Sequence, residues 1–304
     1  MSHTLIIDTS FGSTVGVLGH EPVVEKDSRT HVERLQANIG QSVAQAGLDT
    51  KDIDRIVVGI GPAPFTGLRV GVVTAKALAY ATGARLLGQD ILQPQMLMAY
   101  RLRRGHVGGR FDRLPEVSQE THGKPYSTTL SEHNDDSVPS VFTLCVNDAR
   151  RRQLYFSLYD GNGKLIIPMD IDYPAHIAQR VNEQVGRLTD GHEGHVLIDV
   201  IGHGAGKYEA DWRILQRPGQ VIDASVLDLG ARGLRIFADC AFASVGDANR
   251  GLAVDGIMPP TWLGSVRRNG EAQVEPLYLR RPDVSVPNPL KHVLNSNALQ
   301  RNAA

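Results

Sequence analysis

The 304-residue chain has only two cysteines, Cys145 and Cys240, both in apolar segments. That excludes a disulfide framework and leaves two thiols expected to be buried. Nowhere do about 18 apolar residues run together, so no membrane-spanning helix is expected. Nor is there an excess of charge: 32 lysines and arginines face 33 carboxylates. Without a net field the chain has no general means of drawing in nucleic acid or an anionic membrane. The amino terminus carries neither the basic stretch nor the apolar stretch of a secretory leader. These absences lead to the expectation of a cytoplasmic protein with no membrane association, long enough for one large domain or two lobes.

Familiar catalytic motifs are missing as well. No G-x-x-x-x-G-K-[ST] loop occurs, and Gly206-Lys207-Tyr208 lacks both the first glycine and the hydroxyl residue of one. No G-x-S-x-G elbow occurs either, since Ser13 in Gly12-Ser13-Thr14-Val15-Gly16 misses the spacing by one residue. Cys145 has no neighbouring cation or histidine that would favour its thiolate. His192 and His195 form the one close histidine pair, in a glycine-bounded loop poorly suited to converging on a metal.

What is present is an α/β pattern. Arg55 to Ile60 reads as a strand and Leu68 to Thr82 as a helix, joined by a Gly/Pro turn from Gly59 to Gly67. Thr66 is expected to cap the helix, and such a junction can aim backbone N–H groups at a phosphate. Earlier, Leu5 to Asp8, Thr14 to Leu18 and Pro22 to Glu25 read as three strands. Thr30-x-x-Glu33 has the form of a capping box. It opens a helix whose apolar stripe is Val32, Leu35, Ile39, Val43 and Ala46, ended by Gly47. On the second helix Leu68, Val72, Ala75 and Ala79 supply a core stripe. Arg69, Val73, Lys76 and Tyr80, at spacings of four, three and four, are left as a mixed face that could bind a partner. Leu86 and Leu87 suggest a strand, and Ile91 to Tyr100 a helix.

Residues 101–140 change character. Arg101, Arg103, Arg104, Arg110 and Arg113 precede a polar stretch with few aliphatics, expected to be a disordered insertion with solvated arginines. Order is expected to return at Val141 to Val146, with further strands at Gln153 to Tyr159 and Leu165 to Met169. Strand, acidic turn, strand, turn, strand therefore occurs twice, once ending its first strand in Asp8 and once in Asp148. A helix at Ala175 to Leu188, a strand at Val196 to Ile201 and a helix at Leu227 to Ala243 follow. The reading is an α/β protein of duplicated actin-like, ribonuclease H-like, two-lobed fold. Residues 1–100 form the first lobe, 141–281 the second with a returning C-terminal segment, and 282–304 a disordered tail.

The stretch from Val58 to Gly83 resembles the signature of the bacterial TsaB family, the dimerization subunits of the machinery that makes threonylcarbamoyladenosine in tRNA. Leu5-Ile6-Ile7-Asp8-Thr9-Ser10, His31-Val32-Glu33-Arg34-Leu35, Asp148-Ala149-Arg150 with Leu154-Tyr155, and Pro276-Leu277-Tyr278-Leu279-Arg280 agree with it in order. The resemblance implies a non-catalytic subunit that supports a TsaD-type transferase in modifying the adenosine beside the tRNA anticodon. It implies a partner face on the first two helices, drawn from His31, Glu33, Leu35, Leu68, Arg69, Val72, Val73, Lys76 and Tyr80. The partner is a TsaD-type paralogue or, in a homodimer, a second copy, and a TsaE-type ATPase joins the assembly. Contact with tRNA comes only through the complex, and ATP and metal are expected on the partner subunits, with no cofactor of this chain's own. A vestigial nucleotide site is implied at Asp8, Thr9, Ser10, Gly61, Thr66 and Asp148. Arg150, Arg151 and Arg152 stand where such a site usually has small residues and read as a solvated hairpin. Where the transferase paralogue carries a histidine pair, Leu87 to Gln95 holds no histidine. The alternatives are a nucleotide-dependent kinase or hydrolase of the same superfamily using Asp8 and Asp148, and a metallopeptidase, against which the missing histidines count.

Overall fold

The computed structural model describes residues 2–27, 30, 32–103, 140–189, 196–245 and 274–279. The first half contains β1 (His3–Asp8), β2 (Ser13–Val17), β3 (Val23–Glu25), α1 (Leu35–Gln45), β4 (Ile53–Gly61), α2 (Phe65–Thr82), β5 (Arg85–Asp90) and α3 (Leu92–Arg103). The second contains β6 (Ser140–Asp148), β7 (Leu154–Tyr159), β8 (Leu165–Asp172), α4 (Pro174–Thr189), β9 (Val196–Ile201), α5 (Glu209–Trp212), β10 (Pro218–Ile222) and α6 (Ala231–Ser244). Each half makes a five-stranded sheet, in the orders β3-β2-β1-β4-β5 and β8-β7-β6-β9-β10. In both, the first three strands pair antiparallel and the last two join in parallel. The repeat expected from the sequence is therefore a duplication of the whole α/β unit, as in actin-like folds.

Local chemistry explains most boundaries and corrects three. α1 begins at Leu35, behind Arg34 and without a side-chain cap, so Thr30 and Glu33 do not form the expected box. Thr30 instead accepts the Arg34 N–H through its backbone carbonyl, in a turn that precedes the helix. α2 starts at Phe65 after Pro64, which leaves Thr66 inside the first turn and not at the cap. Pro64 takes the N-cap position with an extended ψ of 137°, and it has no side chain that could accept from the first-turn N–H groups. The helix expected from Leu227 breaks at Gly230, whose φ of +61° is open to glycine but strained for other residues. A short turn, Val226–Leu229, capped by Ser225 precedes it, and α6 follows.

Three cores result. One lies under α1 and α2 and includes Leu5, Ile7, Val58, Leu35, Leu68 and Val72. A second lies under α4 and includes Leu144, Phe156, Ile177, Val181 and Trp212. The third lies between the sheets, where Ile6, Val57 and Leu87 on one side and Cys145, Tyr159 and Ile201 on the other enclose residues of α3 and α6. Both cysteines are buried free thiols, as expected, and burial pushes their pKa values well up. α3 is enclosed nearly all round, from Leu92 through Arg103, as a helix between two layers must be.

Arg101 and Arg103 belong to this buried helix, which corrects their reading as part of a solvated insertion. Arg101 Nη2 lies 3.0 Å from Asp239 Oδ2, and Arg103 Nη1 lies 3.1 Å from Asp199 Oδ2. Arg103 also donates to Thr143 Oγ1 at 2.8 Å. The remaining expectations for the insertion, residues 104–139, and for the tail, residues 282–304, lie outside the described residues.

Removing one member of a desolvated pair strands the other, at about 3–5 kcal/mol. Arg103→Met should lower the unfolding free energy by about that amount in denaturant titration. Arg103→Met with Asp199→Asn should recover at least half of the loss, because no buried carboxylate is then left without its guanidinium.

Candidate functional site

Two regions carry the residues singled out by the sequence: the strand ends where the halves meet, and the outer face of α2. At the first, Asp8 closes β1. Its Oδ1 accepts bonds from the Ser10 N–H at 2.9 Å and from Ser10 Oγ at 2.6 Å. Its Oδ2 is buried without a partner and packs on Gly59 of β4, where a Cβ would run into that oxygen. Burial pushes the Asp8 carboxyl above its ordinary range, against the opposing pull of the Ser10 bonds and of His203. Thr9 Oγ1 is likewise buried without a partner, packed against Gly71 of α2. β4 and α2 therefore fill the space around the Asp8–Ser10 turn.

In the second half Asp148 closes β6 and is engaged on both oxygens. Oδ1 accepts the Arg150 N–H at 2.7 Å, and Oδ2 accepts from Lys207 Nζ at 2.9 Å. That bond to Asp148 pushes the lysine pKa upward. Arg150, Arg151 and Arg152 then turn the chain with φ values of +62°, +50° and +63°. A non-glycine residue in this left-handed region costs roughly 1–2 kcal/mol. The Ala149 N–H to Gln153 O and Gln153 N–H to Arg150 O bonds hold the turn in place.

The Gly61 turn, where φ reaches +98°, is a joint between the halves. Asn147 Nδ2 donates to Pro62 O at 3.0 Å and Tyr155 OH donates to Ala63 O at 3.2 Å. Gly61 O accepts the Ile91 N–H at 2.9 Å. Gly61 and the end of β6 thus come together, whereas Thr66 is exposed on α2. A further contact across the halves escaped the sequence reading: the Phe11 ring lies 3.9 Å from the His203 ring. His203 Nε2 is 2.7 Å from Asp228 Oδ2. Burial works to raise the Asp228 pKa, but the His203 bond and charge bring it below the ordinary range. Among the described residues no three histidine, cysteine or carboxylate side chains are grouped to hold a metal. His31, His192 and His195 lie outside the described residues.

On α2, Val73 is 63% and Tyr80 94% exposed, with Arg69 and Lys76 exposed beside them. Leu35, Leu68 and Val72, also named for the partner face, are instead core residues about 1% exposed, which is a correction. They occupy the inward positions of the same helices and cannot reach a partner. Glu33 is exposed just before α1. The returning segment 274–279 borders the α2 face: Leu277 N–H donates to Ile60 O at 2.8 Å, Lys76 Nζ lies 2.8 Å from Glu275 Oε1, and Tyr278 packs on Phe65.

With this geometry in view, comparison with known proteins is specific. The chain has the fold of YeaZ from Pseudomonas aeruginosa, with a TM-score of 0.51 and 22% identity over 84% of this chain and 99% of that one. That is a two-lobed α/β fold, consistent with a duplicated actin-like architecture. The family model of the tRNA N6-adenosine threonylcarbamoyltransferase TsaD matches residues 21–100. The YeaZ-like fold and the matched stretch agree with the resemblance read from the sequence. An uncharacterized protein of Mycobacterium tuberculosis (strain ATCC 25618 / H37Rv) is 32% identical over 53% of this chain and 61% of its own length. A tRNA N6-adenosine threonylcarbamoyltransferase of Rhizobium meliloti (strain 1021) is 40% identical over 25% of this chain and 21% of its own length. The chain thus spans less than two thirds of these curated relatives.

Asp90, at the end of β5, is a further half-buried acid that the sequence reading passed over. Its Oδ1 accepts the Leu92 and Gln93 N–H groups at 2.9 and 2.8 Å, which caps α3. An aspartate three residues before a glutamine is a legible start signal. Burial raises its pKa from 3.8 to about 6. A raised carboxyl pKa means that stability is fully present below about pH 4 and is lost as pH rises through 6. At 1.36 kcal/mol per pKa unit the loss is on the order of 2–3 kcal/mol. Asp90→Asn keeps an acceptor at the cap without the charge. Its stability relative to wild type should therefore rise by about that amount between pH 4 and 7, measured by denaturant titration across the range, and then level off.

Proposed function

We propose that this chain is a non-catalytic subunit that pairs with a TsaD-type transferase through its first-half helices and supports threonylcarbamoyl transfer to tRNA. The observation that carries this reading is the α2 face: Val73 and Tyr80 stand exposed in alternation with Arg69 and Lys76 on a helix whose other side is used by the core. The matched residues, 21–100, include this helix, and a helical face with apolar and charged groups interleaved suits a parallel or antiparallel helix partner. The contact surface is accordingly reduced to Glu33, Arg69, Val73, Lys76 and Tyr80, with His31 retained from the family likeness. The subunit would act in the cytoplasm, join a TsaE-type ATPase in the assembly, carry no cofactor of its own, and leave ATP and metal to its partners. Among the described residues no helix is long and apolar enough to cross a membrane.

The rival reading, a nucleotide-dependent kinase or hydrolase, needs Asp8 and Asp148 open to a phosphate or its cation. Asp8 is buried against Gly59 and bonded to Ser10, and Asp148 is engaged by Lys207 and the Arg150 N–H. Asp148 is engaged on both oxygens and Asp8 on one, its other oxygen being closed over by Gly59, which favours the non-catalytic reading.

Val73→Glu separates a partner face from a merely solvated one. An unpaired carboxylate in an apolar contact costs several kcal/mol, a loss of more than about a hundredfold in affinity. The same change on a solvated helix shifts stability by only about half a kcal/mol. The variant should melt like wild type while losing the transferase-type paralogue in isothermal titration. Wild-type affinity in a normally folded variant would remove α2 from the contact, and self-association lost in place of paralogue binding would identify a homodimer.

A further inference from the structure

We infer that residues 274–279, the returning segment, form part of the docking surface. Glu275 there matches Lys76 of α2 in advance, for burial against a partner surface that is apolar at that place and brings no carboxylate of its own. This role rests on the reading of α2 as the docking face, and it specifies the chemistry of what covers that face. Glu275 Oε1 lies 2.8 Å from Lys76 Nζ, across 199 positions of sequence. Both side chains are well exposed, at 64% and 43%. An ion pair so exposed adds little to stability, so it does not account for where the segment lies.

Other contacts place the segment. Val274 is buried in the core beneath α1 and α2, beside Gly88 of β5. Leu277 N–H donates to Ile60 O at 2.8 Å, and the Tyr278 ring lies 5.0 Å from the Phe65 ring. Tyr278 thus meets α2 at its first residue and Glu275 meets it further along, so the segment runs antiparallel to the helix. Glu275 stands between fixed neighbours on both sides. The segment holds the ion pair, and not the reverse. A carboxylate fixed in this way loses little freedom when the pair is covered.

Lys76 and Arg69 are the only charged residues among the 18 of α2. Arg69 is also provided for, since its guanidinium lies 4.9 Å from the centroid of the Phe65 ring beneath it. Over an aromatic face a cation keeps a favourable contact when water leaves, without a carboxylate. Val73, Ala77, Tyr80 and Ala81 are the exposed apolar residues beside these cations. α1, which shares the core under α2, has no charge in its 11 residues. A lone ammonium here would select an acidic partner, because burying it unpaired is costly. Paired beforehand, it selects the opposite. A partner carboxylate opposite Lys76 would lie beside Glu275 and be repelled, whereas an apolar surface meets no such penalty.

Isothermal titration of the full chain with the transferase-type paralogue tests this role by a double-mutant cycle. Glu275→Gln should melt like wild type and bind at least about tenfold more weakly, because Lys76 is then covered without its carboxylate. Lys76→Met should weaken binding in the same way, by leaving Glu275 unpaired. Lys76→Met with Glu275→Gln should return to within about threefold of wild type, the coupling expected of groups in contact. Binding by Glu275→Gln at wild-type strength would overturn the role. Tighter binding would overturn it too, and would identify a partner carboxylate that competes for Lys76. A double variant no better than the single ones would also count against it. Val73→Glu, titrated alongside, keeps the two readings apart. If it abolishes binding while Glu275→Gln does not weaken it, α2 remains the docking face and only the role of Glu275 falls. If Val73→Glu binds like wild type, both fall.

Discussion

Everything in this molecule depends on the burial of α3 between two sheets. Each sheet can cover its outer face with its own helices, but the facing sides must share a layer. α3 and α6 supply that layer, and α3 is enclosed nearly all round. Two guanidiniums go into the interior with it, and they are held by Asp199 and Asp239 of the second half. A desolvated ion pair adds little net stability compared with a well-packed apolar pair, but a misplaced one is very costly. The pairs therefore act mainly against any docking of the halves other than this one. Gln95, fully buried on the same helix, acts in the same sense when its amide is oriented so that the nitrogen donates to Val146 O and Ile201 O.

The same docking determines what the strand ends can do. In a duplicated α/β fold the carboxyl ends of the central strands meet where the halves meet, and that is the natural place for a ligand. Here the Gly61 turn gives its carbonyls to Asn147 and Tyr155, Asp8 is closed over by Gly59, and Phe11 rests on His203. Groups that could have received a phosphate serve as joints. A surface left available lies away from the joint. It is the outer side of α2, extended by the returning segment at Glu275 and Tyr278.

Much of this was legible because it is local. The alternation of β1, β2 and β4, the apolar stripe of α2 and the recurrence of a strand ending in an acid at Asp8 and Asp148 depend only on residues within a few positions of one another. Those patterns were enough for the duplicated fold and for separating Val73 and Tyr80 from the core. Assigning Leu35, Leu68 and Val72 to a partner face failed because a resemblance marks a helix without saying which of its sides is already occupied.

The sequence by itself determined most of the elements, their order and the two-fold repeat, because periods of 2 and 3.6 are written into neighbouring residues; the short α5 and β10 went unread. Only the tertiary structure decided which charges are buried and which are free. Arg103 and Asp199 are 96 residues apart, Arg101 and Asp239 138, and nothing local distinguishes them from the exposed Arg150 and Arg152. A guanidinium enters a core only when a carboxylate is waiting there, and that meeting exists only once the two halves have closed around α3.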